Sequence, residues 1–160
     1  MTALLRSGHL SAMKKEEARP VRVLLVDDNV HGLTARELIL VHHGYEVEKA
    51  RSGEEAWEIF QIHHFDVVVT DLRMSGMDGV ELIRRIRESG SLARFILLSG
   101  FVGCLALTEK STGADEVIAK SHKEVPELLR AVGKLAVTPR RKPPTNAGPP
   151  PGGSSRRQTG

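Results

Sequence analysis

The amino-acid sequence predicts an α/β fold, a doubly wound five-stranded parallel sheet with five helices, on three observations. Apolar runs of strand length alternate with amphipathic stretches of helical period from Val21 to Leu135. Most of the strand candidates are apolar almost throughout, as in Val67-Val68-Val69, which marks strands covered on both faces. The connections are short, as expected when each strand feeds directly into the next helix.

The first strand is read at Val21–Val26, an apolar run broken only by Arg22. A helix follows over Val30–His43, with Leu33, Leu38, Ile39 and Val41 at helical spacing. Tyr45–Ala50 reads as the second strand. Ser52-Gly53-Glu54-Glu55 has the form of a capping box, opening a helix through Ala56, Ile59, Phe60 and Ile62 that stops near His63-His64. Phe65–Thr70 is the third strand, and Gly79–Glu88 a helix carrying Val80, Leu82, Ile83 and Ile86. Phe95–Leu98 is the fourth strand, Val102–Ser111 a shorter fourth helix and Glu116–Ala119 the fifth strand. Pro126 is placed at the first position of a last helix that packs Leu128, Leu129, Val132 and Leu135 on the sheet. For five strands joined this way the usual order is 2-1-3-4-5, and ligand chemistry belongs at the carboxyl ends of the strands.

The net charge of +3 conceals an uneven distribution. Residues 138–160 contribute +5 and residues 1–20 contribute +2, which leaves −4 on residues 21–137. The part that can fold is therefore acidic, and overall charge does not support a nucleic-acid binder. The last 23 residues hold six prolines, four glycines and no aromatic, so they are read as a disordered tail acting as a spacer. Residues 1–20 are read as a flexible segment and residues 21–137 as the one domain. The single Cys104 cannot form an internal disulfide, which fits a reducing compartment. No apolar run reaches signal-peptide or membrane-span length, and a cytoplasmic location is expected.

Three acids fall at strand ends: Asp27 and Asp28 after the first strand, and Asp71 after its expected neighbour, the third. An aspartate at such a place readily caps the following helix. A pair facing a third acid across strands is different, because converging carboxylates repel each other unless a hard cation joins them, and an oxygen-only donor set suits Mg2+. Ser99 ends the fourth strand with a hydroxyl and Lys120 ends the fifth with an ammonium. A hydroxyl, a cation and a metal around one carboxylate form a cage for a phosphoryl group.

The segments Leu24-Leu25-Val26-Asp27-Asp28-Asn29 and Val67-Val68-Val69-Thr70-Asp71-Leu72-Arg73-Met74-Ser75-Gly76-Met77-Asp78-Gly79, followed in order by Ser99-Gly100, Gly113-Ala114-Asp115 and Lys120, resemble a two-component receiver domain over about residues 21–136. The resemblance implies a flavodoxin-like sheet and a phosphoacceptor role for Asp71, which would take its phosphoryl group from the phosphohistidine of a histidine kinase or phosphotransfer protein. It implies Mg2+ held by Asp27, Asp28, Asp71 and the backbone carbonyl of Arg73, with Ser99 and Lys120 on the phosphoryl oxygens. No enzymatic activity is expected beyond Mg2+-dependent self-phosphorylation and dephosphorylation. Output would pass to a downstream protein through the fourth helix, fifth strand and fifth helix. Too few residues follow Thr138 for a second folded domain, so a stand-alone receiver is the expectation.

Three positions depart from the family pattern: Ser75 and Ser121 stand where proline is usual, and Val117 where an aromatic switch residue is usual. None removes a phosphorylation group, but a phosphorylation-independent interaction module of the same fold is the alternative they motivate. The pairs His42-His43 and His63-His64 are read as helix C-terminal residues suited to the helix dipole, not metal ligands. Trp57 and Phe60 are read as packing residues, Arg84, Arg85 and Arg87 as a solvated face, and Cys104 as an ordinary small side chain.

Overall fold

The structure, a computed structural model, describes residues 19–100 and 107–137. Its elements run β1 (Arg22–Val26), α1 (Val30–His42), β2 (Glu46–Ala50), α2 (Gly53–Ile62), β3 (Val67–Asp71), α3 (Gly79–Glu88), β4 (Arg94–Ser99), α4 (Glu109–Thr112), β5 (Glu116–Ala119) and α5 (Glu124–Val137). All strand pairs are parallel in the order β2-β1-β3-β4-β5, as expected. Of the expected helix over Val102–Ser111 the described residues hold the single turn α4, and the stretch that includes Cys104 lies outside them. The expected tails also lie outside them, apart from Arg19 and Pro20.

Strand alternation divides the core into two layers. Leu24, Val26, Val68, Phe95 and Leu97 pack with α2 and α3 on one face of the sheet. Val23, Leu25, Val67, Val69, Ile96 and Leu98 pack with Leu33 and Leu40 of α1 and Leu128, Ala131, Val132 and Leu135 of α5 on the other. Each fully buried aliphatic side chain contributes roughly 1.5–3 kcal/mol by leaving water, so both layers are needed to hold the sheet. Trp57 and Phe60 join the α2/α3 layer, in keeping with their reading as packing residues.

Local signals are answered in part. Ser52 caps α2 by accepting from Glu55 N, but the Glu55 carboxylate accepts from Arg51 N, one residue before the cap, so only half of the expected capping box forms. Helix α5 begins at Glu124, which moves Pro126 from the expected first position to the third. The site remains within the first turn, where no backbone donor is lost from the helix ladder.

Glu116, the first residue of β5, fastens α5 to the sheet. It is buried, and its carboxylate accepts from Arg130 Nη2 at 2.9 Å and Lys134 Nζ at 3.0 Å. Burial opposes its charge, but Lys134 and Arg130 prevail and hold its pKa below the ordinary glutamate value. A depressed carboxylate stabilises the fold above its unfolded pKa, and that contribution is lost as pH falls through the folded value. Glu116→Gln is expected to cost about 1 kcal/mol at neutral pH, a modest figure because Arg130 and Lys134 are largely exposed. Urea unfolding should show the gap closing in acid, below about pH 4. A gap of equal size in acid would mean that packing, not charge, is responsible.

Candidate functional site

The carboxyl ends of β1, β3, β4 and β5 meet at one rim. Asp71 is the last residue of β3 and follows the alternation of Val67 and Val69, which sets it toward the α1/α5 side. Asp27 and Asp28 leave β1 beside it, and carboxylate oxygens of Asp27, Asp28 and Asp71 all lie within 4.8 Å of one another. Asp27 and Asp71 are buried and Asp28 is exposed, so the group opens to solvent on one side. It is the only cluster of three such metal-binding side chains among the described residues.

Lys120 follows β5, where its backbone N–H donates to Ser99 O at 3.0 Å. Its ammonium stands 2.9 Å from Asp71 Oδ2 and 3.8 Å from Asp27 Oδ2. Ser99 closes β4 fully buried at the same rim, in register with Ala119. Asp27, Asp28, Asp71 and Lys120 are thus brought into one cluster, and Ser99 ends its strand beside it. Arg73 lies two residues beyond Asp71 in the loop after β3. Burial pushes the Asp71 carboxyl above the ordinary aspartate value; Lys120 pulls against this and the nearby Asp27 adds to it. A buried carboxylate beside two others and one ammonium calls for further positive charge.

Two charged residues at the rim escaped the sequence reading. Arg36 of α1 donates through Nη1 to Asp27 Oδ2 at 2.8 Å and through Nε to Glu124 Oε1 at 2.6 Å. Burial opposes the charge on Arg36, but Glu124 and Asp27 more than offset it and raise its pKa. A signal was present, since Leu33, Arg36 and Leu40 share one helix face and both leucines are buried. Counting Glu124, four carboxylates face two cations, a formal −2 that matches one divalent cation. The oxygen donors and this charge fit Mg2+.

The loop after β3 is held from α2. Glu54 Oε1 accepts from Met77 N at 2.7 Å, and that bond holds the Glu54 carboxyl below the ordinary glutamate value. Asp78 caps α3 by accepting from Glu81 N, and Gly79 N donates to Leu72 O at 2.9 Å. Ser121 turns the chain into α5, its hydroxyl accepting from Lys123 N and its carbonyl from Glu124 N. Val117 packs against the α2/α3 layer. Asp115 ties β4 down at the far end of the sheet, accepting from Phe95 N, Arg87 and Arg94.

The described residues read as background stand outside this cluster. His42 ends α1 and His43 and His63 cap helix C-termini, as read from the sequence. Arg84 and Arg85 pair with Glu81 on the exposed face of α3, whereas Arg87 lies over the Phe95 ring, 4.7 Å from its centroid. No helix among the described residues is long and apolar enough to cross a membrane.

A family model described as the response regulator receiver domain matches residues 23–132. The chain belongs to that family. Among solved structures this receiver is similar to the response regulator TrrA of Thermotoga maritima in complex with Mg2+ and BeF, at 33% identity and TM-score 0.65 over 72% of this chain and 98% of that one. TrrA in complex with the histidine kinase ThkA matches at 34% identity and TM-score 0.64, over 72% of this chain and 97% of that one. The transcriptional regulatory protein TrcR of Mycobacterium tuberculosis is 32% identical over 128 residues, 78% of this chain. The receiver chain spans 50% of TrcR and 19% of the gliding motility regulatory protein of Myxococcus xanthus. It is therefore a two-component receiver with the sheet order and acidic rim described above.

Proposed function

We propose that this receiver accepts a phosphoryl group on Asp71 from the phosphohistidine of a histidine kinase or phosphotransfer protein and passes the signal on by protein contact. The observation that carries this is the meeting of Asp27, Asp28 and Asp71 within 4.8 Å, with the Lys120 ammonium 2.9 Å from Asp71. An Asp71 oxygen attacks phosphorus, the P–N bond breaks, and the imidazole keeps the electron pair and gains a proton, leaving an acyl phosphate. Asp27, Asp28, Asp71 and the Arg73 carbonyl hold Mg2+, which when bound neutralises phosphoryl oxygens. Lys120 opposes the rise that burial imposes on the Asp71 pKa and, with Ser99, takes phosphoryl oxygens. Turnover is confined to attachment and loss of this one group. Support from relatives is that TrrA binds Mg2+ and BeF and forms a complex with a histidine kinase.

The test is the intact mass of the protein after incubation with Mg2+ and acetyl phosphate, repeated with the metal chelated. One added phosphoryl group, absent when the incubation is run with the metal chelated, is the expected result. A folded, Mg2+-binding protein that gains nothing from acetyl phosphate or from a histidine kinase would overturn it.

Output is assigned to α4, β5 and α5, reached from Ser99 through the Lys120 N–H bond to its carbonyl. Ser99→Ala is expected to keep the label on Asp71 but lose most of the phosphorylation-induced NMR shifts in β5 and α5. Full shifts in this variant would remove Ser99 from the pathway. The second reading, a phosphorylation-independent interaction module, is favoured by Val117, which has no ring to turn behind Ser99. It predicts partner affinity that does not change on phosphorylation.

A further inference from the structure

The contacts of Arg36 go beyond the phosphoacceptor reading while resting on it. Its guanidinium joins Asp27, at the proposed metal pocket, to Glu124, the first residue of α5, at 2.8 and 2.6 Å. All three side chains are largely buried, so this is not a loose surface pair. The opposite side of the same Asp27 carboxylate accepts from Asn29 N at 2.9 Å, and Lys120 stands 3.8 Å from the oxygen that Arg36 holds. The bare α-carbon of Gly32 leaves the room: a β-carbon there would lie 2.9 Å from Arg36 Nη1 and 3.4 Å from Asp27 Oδ2.

We infer that Arg36 is a positioning residue that competes with the metal for Asp27 and couples the charge of the pocket to the head of α5. Arg36 is one cation shared between two carboxylates, so its pull on Asp27 depends on Glu124. When Mg2+ takes up the negative charge of Asp27, the guanidinium is attracted less there and more toward Glu124. The first turn of α5 is then held more firmly against α1. Glu124 in turn draws the guanidinium from Asp27 and favours the metal. A lysine cannot reproduce this, because a point charge lacks the planar fork that reaches both partners at once.

The experiment is a double-mutant cycle on Mg2+ affinity, measured by calorimetry on the whole chain without a phosphodonor. Arg36→Gln removes a positive charge from the pocket and is expected to tighten Mg2+ binding by about threefold to tenfold. Glu124→Gln leaves Arg36 wholly to Asp27 and is expected to weaken it by about threefold. In the Arg36→Gln background the Glu124→Gln effect should fall to less than half. Should Arg36→Gln not fold, Arg36→Lys takes its place, and the Glu124→Gln effect must shrink by at least half there too. An arginine that only clamps α1 to α5 would lower stability and leave Mg2+ affinity unchanged or weaker, which would overturn the inference. So would a Glu124→Gln effect that persists in full when Arg36 is replaced. Wild-type protein that binds no Mg2+ would overturn the metal pocket itself, whereas wild-type binding and labelling with an inert cycle would overturn Arg36 alone.

Discussion

Asp71→Ala is expected to abolish phosphoryl incorporation completely, whatever the donor. The substitution removes the carboxylate that the Lys120 ammonium contacts at 2.9 Å. Asp27 cannot replace it, since its two oxygens are engaged by Arg36 and by Asn29 N. Asp28 is exposed and has no such cation beside it among the described contacts. The fold should survive, because Asp71 sits at the end of β3 and burial already works against its charge. Intact mass with acetyl phosphate and Mg2+ checks the loss, and far-ultraviolet circular dichroism checks the fold. Labelling that persists in Asp71→Ala would refute the assignment of the acceptor.

Gly79→Ala is expected to be strongly destabilising. Gly79 opens α3 directly behind the acceptor, and a β-carbon there would collide with the Asp71 carbonyl oxygen and come within 2.9 Å of Leu97 Cδ1. The first obstacle is backbone, held in β3 between β1 and β4, and it cannot swing aside as a side-chain tip would. Either α3 lifts from the sheet or the end of β3 shifts and takes Asp71 with it. Overpacking of this kind costs about 3 kcal/mol, a large part of a small domain's stability. Chemical denaturation should show that loss, and the folded fraction should take up label more slowly than wild type. A variant within about 0.5 kcal/mol of wild type would mean that the chain relaxes around the methyl group.

Apart from the fourth helix and the start of the last one, the elements, their order and the two-sided burial were legible in the residues alone. Those properties are written in neighbours two, three or four residues apart, as in Val67-Val68-Val69 or the row Leu82, Ile83 and Ile86. The sequence also determined the rim, because a parallel sheet brings all its carboxyl ends together. Asp27, Asp28, Asp71, Ser99 and Lys120 could therefore be gathered from their places after successive strands. What lay beyond its reach were contacts between residues far apart in the chain. Arg36 and Glu124 are separated by 88 residues, and their meeting depends on α1 and α5 covering the same face of the sheet. An arginine between Leu33 and Leu40 announces a charge on a buried face, but not its partner. The capping box failed for a related reason, since Glu55 found a donor at Arg51 as suitable as the one at Ser52, and local geometry chose between them. Periodicity reports which side of an element is buried; only the packed structure decides which charges meet there, because pairing energy acts over a few ångströms of space, not along the chain.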